Sequence, residues 1–88
     1  MARIEHICED AAIVSGQADG EMYFRMGLMH ANGRGAVPDF VEAHKWFNIA
    51  AMRGEQRAVA LRRELSEEMT SDQIAAAQRA AREWLSVH

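Results

Sequence analysis

The sequence has one cysteine, one proline and no long apolar run, and each scarcity excludes a class of protein. Cys8 alone cannot form an internal disulfide, whereas secreted domains of this size usually carry several. The opening stretch, MARIEHICEDAAIVSG, carries charges throughout, so it predicts neither a secretory signal peptide nor a membrane span. Together these absences predict a soluble protein of a reducing compartment, the cytoplasm.

Positive charge is also in short supply. The 10 Lys and Arg residues are outnumbered by 13 Asp and Glu, and the net charge of -3 argues against a surface built to bind phosphate backbones. Residues 1–44 hold three basic and seven acidic side chains, whereas residues 45–88 hold seven and six. This asymmetry would support head-to-tail contact between molecules.

The residues that are abundant are helix formers. Ala, Met, Leu, Glu and Arg dominate the 88-residue chain without strand-like alternation, and 49% of its residues are hydrophobic. This composition predicts one all-α domain. Asp39 and Thr70 are the predicted N-caps of two helices, with Glu42 and Gln73 three residues later, as in a capping box. The five predicted helices cover residues 3–15, 20–31, 40–53, 55–69 and 71–86.

The chain is organised around residues 22–54, which predict two antiparallel helices joined by a glycine-rich turn. Gly27 lies inside the first of these helices, where it costs up to about 1 kcal/mol relative to Ala, so we expect it to permit close approach of the second. That first helix is apolar on nearly all sides. Its most polar stripe, the predicted partner-binding surface, consists of Glu21, Arg25, Leu28 and Asn32.

A resemblance to a known family rests on this same stretch. Residues 26–35 read MGLMHANGRG, and Val37 and Phe47 follow in register. In this spacing the residues resemble the Sel-one-like repeat, a relative of the tetratricopeptide repeat. Met26 and His30 replace the family's usual Leu and Tyr, and Ala36 is inserted. The positions that carry the repeat signature are Gly27, Gly33, Gly35, Asp39, Ala43, Trp46, Ala50, Ala51 and Gly54.

The resemblance implies a short right-handed α-α solenoid of antiparallel helix hairpins, and members of the family usually serve as adaptors in protein assemblies. Residues 20–54 would form one full repeat. Residues 1–19 would be a degenerate preceding helix, and residues 55–88 a C-terminal capping hairpin.

Chemistry-bearing residues do not form a recognisable constellation. No two of the histidines His6, His30, His44 and His88 have the i, i+4 spacing of a helical metal site. His44, beside Lys45, is predicted to face solvent. The turn glycines lack the Lys-Ser/Thr and the preceding strand of a phosphate loop. We therefore predict no catalytic residue, no cofactor and no metal.

Two functions remain open from the sequence. The first is a non-enzymatic protein-protein interaction module that binds another protein or peptide, and no nucleic acid or membrane. The alternative is a small helix-turn-helix-like regulator that contacts nucleic acid through C-terminal arginines, although acidic residues interrupt them. Those arginines are Arg57, Arg62, Arg63, Arg79 and Arg82. Repeat arrays with open ends also make a homodimer plausible.

Overall fold

A computed structural model describes residues 18–33 and 37–88, and these residues form four helices and no strand. The helices are α1 (Ala18–Asn32), α2 (Phe40–Met52), α3 (Gln56–Ser66) and α4 (Ser71–Val87). The prediction of an all-α fold is confirmed for this part of the chain. The predicted helix of residues 3–15, Cys8 and the signature residue Gly35 lie outside the described residues.

The helix ends show why these residues stop and start where they do. The Oδ1 of Asp39 accepts the amide N–H of Glu42 at 3.1 Å and caps α2. Gly54, with φ 95°, follows α2, and the amide of Glu55 donates to the carbonyl of Ala50 at 3.0 Å, as in a Schellman motif. Thr70 and Gln73 form the predicted reciprocal capping box of α4.

Helix α2 is the centre of the packing, because it contacts each of the other three helices extensively. Helices α3 and α4 make few direct contacts with each other, so they are held together mainly through α2. One core joins α1, α2 and α3 around Phe24, Phe47 and Leu65. A second, smaller core joins α4 to α2 through Trp46, Ile49 and Ala81.

Close contact between α1 and α2 depends on Gly27. A Cβ atom built on Gly27 would overlap the Cδ1 and Cε1 atoms of the Phe47 ring, which is itself fully buried. The missing side chain therefore leaves the space that the ring occupies. This agrees with the role predicted for Gly27 from the sequence.

The prediction that His44 faces solvent is wrong. Its side chain is only 1% exposed and lies between α2 and α3, where its Nε2 is 2.9 Å from the hydroxyl oxygen of Ser66. The neighbouring Lys45 misled the prediction: Lys45 lies one residue further round the helix, where its Nζ donates to Glu42 at 2.8 Å. None of the helices in the described part of the chain has the length and apolarity needed to cross a membrane.

Candidate functional site

The predicted partner-binding stripe divides between the surface and the interior. Arg25 and Asn32 are exposed, and Glu21 is half-buried. Leu28 is only 4% exposed and belongs to the core shared by α1, α2 and α3. A partner could not reach Leu28 without displacing that core, so Leu28 does not belong to the surface.

The exposed side of α1 is displaced slightly from the predicted stripe. Met22 and Met29 are each 49% exposed and lie seven residues apart, which places them on the same side of the helix about 10.5 Å from one another. Arg25 lies between them. We define the outer face of α1 as Met22, Arg25, Met29 and Asn32.

An ion-pair network fixes one edge of this face. The Nε of Arg25 donates to Glu21 Oε2 at 2.9 Å, while the other oxygen of Glu21 accepts from Arg57. Arg57 in turn donates through its Nε to Glu55 at 2.8 Å. The hydrogen bond from Arg57 lowers the pKa of Glu55, and the Glu55 carboxylate is the main cause that raises the pKa of Arg57.

The network leaves Arg25 as its outermost member. Both carboxylate oxygens of Glu21 accept from guanidinium groups, so neither is unsatisfied. Among the described residues, Arg25 is bonded only through Nε, and its side chain is 53% exposed. The two Nη groups of Arg25 therefore remain able to donate to an acceptor outside residues 18–33 and 37–88.

The side of α1 that faces α4 is closed by aromatic rings. Tyr23 stacks on Trp46 with ring centroids 5.7 Å apart, and Trp84 meets both rings edge-on at 5.2 and 5.5 Å. His88 stacks on Trp84 with ring centroids 4.1 Å apart. These rings pack against one another where α1, α2 and α4 meet.

His44 and Ser66, a close pair of histidine and serine among the described residues, do not form a nucleophile and its base. Ser66 donates its hydroxyl proton to the carbonyl of Arg62, and in the described part of the chain His44 Nδ1 has no hydrogen-bond partner to orient the ring as in a catalytic triad. Within residues 18–33 and 37–88, no three His, Cys, Asp or Glu side chains lie together so as to hold a metal ion.

The arginines proposed for nucleic-acid contact have different environments. Arg57 is part of the ion-pair network, and Arg62 donates to Asn48. Arg63, Arg79 and Arg82 are exposed, the first on α3 and the others on α4. Arg57 and Arg62 thus already donate hydrogen bonds to side chains of the fold.

No protein-family model, curated protein or solved structure matches the chain. The sequence does contain a signal that locates the outer face of α1: Gly27 marks the side where α2 approaches, and at 100° per residue Met22, Arg25 and Met29 fall near the opposite side. The predicted stripe missed both methionines because it followed polarity alone.

Proposed function

We propose that this chain is a non-enzymatic protein-protein interaction module, an adaptor of the Sel-one-like repeat type, which binds a partner on the outer face of α1. The observation that carries the proposal is the exposure of Met22 and Met29 on both sides of Arg25. Flexible thioethers adapt to different partner shapes, and an exposed arginine between them adds a charged anchor.

Several contacts support the repeat as the scaffold. Ala43 and Ala50 are fully buried, and Trp46 lies in the smaller core, as expected for small and bulky signature positions. Gly33 and Gly54 have φ values of 66° and 95°, which favour glycine. We infer that α1 and α2 form one repeat hairpin of a short right-handed solenoid, to which residues 1–19 and 55–88 add further helices.

The single cysteine supports the cytoplasm as the location of this module, because the chain needs no oxidising compartment to fold. The partner is a protein or peptide. The hydrogen bonds of Arg57 to Glu55 and of Arg62 to Asn48 weaken the nucleic-acid alternative, because both arginines are already bound within the fold.

An affinity experiment with a matched control tests the proposal. The immobilised chain is exposed to an extract of its source cells, and the proteins retained by the wild type are compared with those retained by Met29→Glu and by Met52→Glu. Met52 is 69% exposed at the end of α2, so its substitution adds the same charge away from the outer face.

We expect a partner that the wild type and Met52→Glu retain and that Met29→Glu loses, because the partner would have to remove water from the new carboxylate, which could also occupy the Nη groups of Arg25. A partner retained equally by all three proteins would place the binding surface elsewhere. An extract from which the wild type retains no protein would contradict the proposed function.

A further inference from the structure

Helix α4 carries a stripe whose spacing matches the outer face of α1. Ala80, Glu83 and Val87 follow one another at intervals of three and four residues, as do Met22, Arg25 and Met29. Ala80 is half-buried, Glu83 is exposed, and Val87 is 73% exposed. Intervals of three and four residues place each set on one side of its helix. We call Ala80, Glu83 and Val87 the α4 stripe.

The two surfaces also carry opposite charges at corresponding positions. The Glu83 carboxylate has no ion pair or hydrogen bond among the described residues, although the backbone carbonyl of Glu83 accepts from Ser86. The Nη groups of Arg25 are likewise left without an acceptor there. The outer face of α1 thus presents the Nη groups of Arg25 between apolar side chains, the α4 stripe presents the Glu83 carboxylate, and the two charges are of opposite sign.

The two surfaces do not face each other within one molecule. Helices α1 and α4 meet through Tyr23 and Trp84, whose rings lie edge-on at 5.2 Å. Arg25 is two residues from Tyr23, which turns it about 160° away around α1 from the side where the rings meet. Contact between Arg25 and Glu83 therefore requires a second copy of the chain.

We propose that the outer face of α1 on one molecule binds the α4 stripe of a second copy, with Arg25 paired to Glu83 and with Met22 and Met29 against Ala80 and Val87. The proposal rests on the proposed function, because it names the occupant of the same face. Two different surfaces meet in this contact, so it is heterologous. Each bound pair leaves one surface of each kind free, so the association is open-ended and grows with protein concentration.

Sedimentation equilibrium of the full chain over a wide range of concentrations measures this association. We expect the average mass to rise continuously with concentration and to fall when salt is added, because the charge pair is solvent-accessible. Arg25→Glu and Glu83→Arg should each weaken association by about tenfold, since each replaces an attraction by a repulsion.

Sedimentation of a mixture of the two variants separates charge repulsion from misfolding. Arg25→Glu retains a native α4 stripe, and Glu83→Arg retains a native outer face, so the mixture should associate more strongly than either variant alone. Misfolding cannot produce this recovery. Arg63→Glu and Glu64→Arg are the matched controls, because both residues are exposed on α3 and lie outside the two surfaces. Circular dichroism of every variant confirms that the helices are retained.

Three results would overturn the proposal: a wild type that is monomeric at every concentration, a dimer that does not grow further, or an association that neither charge reversal weakens. A monomer would leave the outer face of α1 to another protein or to residues 1–17 of the same chain. The extract experiment above distinguishes these cases, because a foreign partner lost in Met29→Glu preserves the proposed function even when self-association fails.

Discussion

The imidazole Nε2 of His44 in α2 and the hydroxyl oxygen of Ser66 in α3 lie 2.9 Å apart, and they form a buried polar link between these helices. Ser66 donates its own proton to Arg62, so the Nε2–H of His44 is the donor of the link. Nδ1 is then the unprotonated nitrogen, and no residue that the structure describes forms a hydrogen bond with it. Burial, followed by the charge of Arg62, lowers the pKa of His44 below its ordinary value of 6.5.

The first prediction concerns stability against pH. Between the lowered pKa of folded His44 and the ordinary value of 6.5, the unfolded chain binds a proton that the folded chain does not. The contribution of neutral His44 to the free energy of unfolding is therefore complete above pH 6.5. It is lost as pH falls below this value, by up to about 1.4 kcal/mol per pH unit. Urea unfolding at a series of pH values between 7.5 and about 5 measures this slope.

The matched variants for this experiment are His44→Gln and His88→Gln. Glutamine keeps an amide N–H for Ser66 but does not titrate, so His44→Gln should flatten the slope. His88 is exposed at the end of α4, and its substitution changes a histidine outside the α2–α3 contact. Equal slopes for the wild type and His44→Gln would show that His44 does not control the pH dependence.

A second prediction concerns Gly27. Alanine is the better helix former, yet Gly27→Ala should reduce the free energy of unfolding by about 1 to 3 kcal/mol, because the new Cβ overlaps the Phe47 ring. Phe47→Leu, which removes ring atoms from this place, should reduce the cost of the alanine. A double-mutant cycle in urea measures the coupling. Additive costs would mean that the ring and the glycine do not share this space.

The third prediction concerns the ion-pair network. Glu55 is buried, and its carboxylate holds Arg57, so Glu55→Gln should cost about 1 to 2 kcal/mol at pH 7. Since Arg57 keeps the pKa of Glu55 below its usual 4.5, the difference from the wild type should shrink as pH falls below that value. Glu64→Gln, on the exposed side of α3, is the control and should change stability little. A similar cost for both substitutions would contradict the special role of Glu55.

The sequence predicts those parts of the fold that local chemistry determines. Asp39 and Thr70 cap helices because their side chains reach amides three residues away, and Gly54 ends α2 because its positive φ suits glycine. The predicted end of α3 was less accurate. That helix stops at Ser66, although apolar periodicity carried the prediction to residue 69. Met69 instead packs against the core from the turn that follows.

The surface of α1 was harder to predict, because its apolar residues surround the helix and periodicity alone cannot choose the buried side. Leu28 was placed on the surface and is in the core, while Met22 and Met29 are exposed. Burial of His44 was also missed. It depends on Ser66, which lies 22 residues later in the chain, and no local pattern reveals such a partner.

The most direct test of the outer face of α1 as a binding surface is NMR of the chain labelled with ¹³C at its methionine methyl groups, before and after unlabelled extract of its source cells is added. Met22 and Met29 lie on the face, while Met52 is exposed at the end of α2 and provides an internal control. We predict that the methyl signals of Met22 and Met29 shift or broaden and that the signal of Met52 does not. Unchanged signals from Met22 and Met29, with or without a change at Met52, would contradict the account.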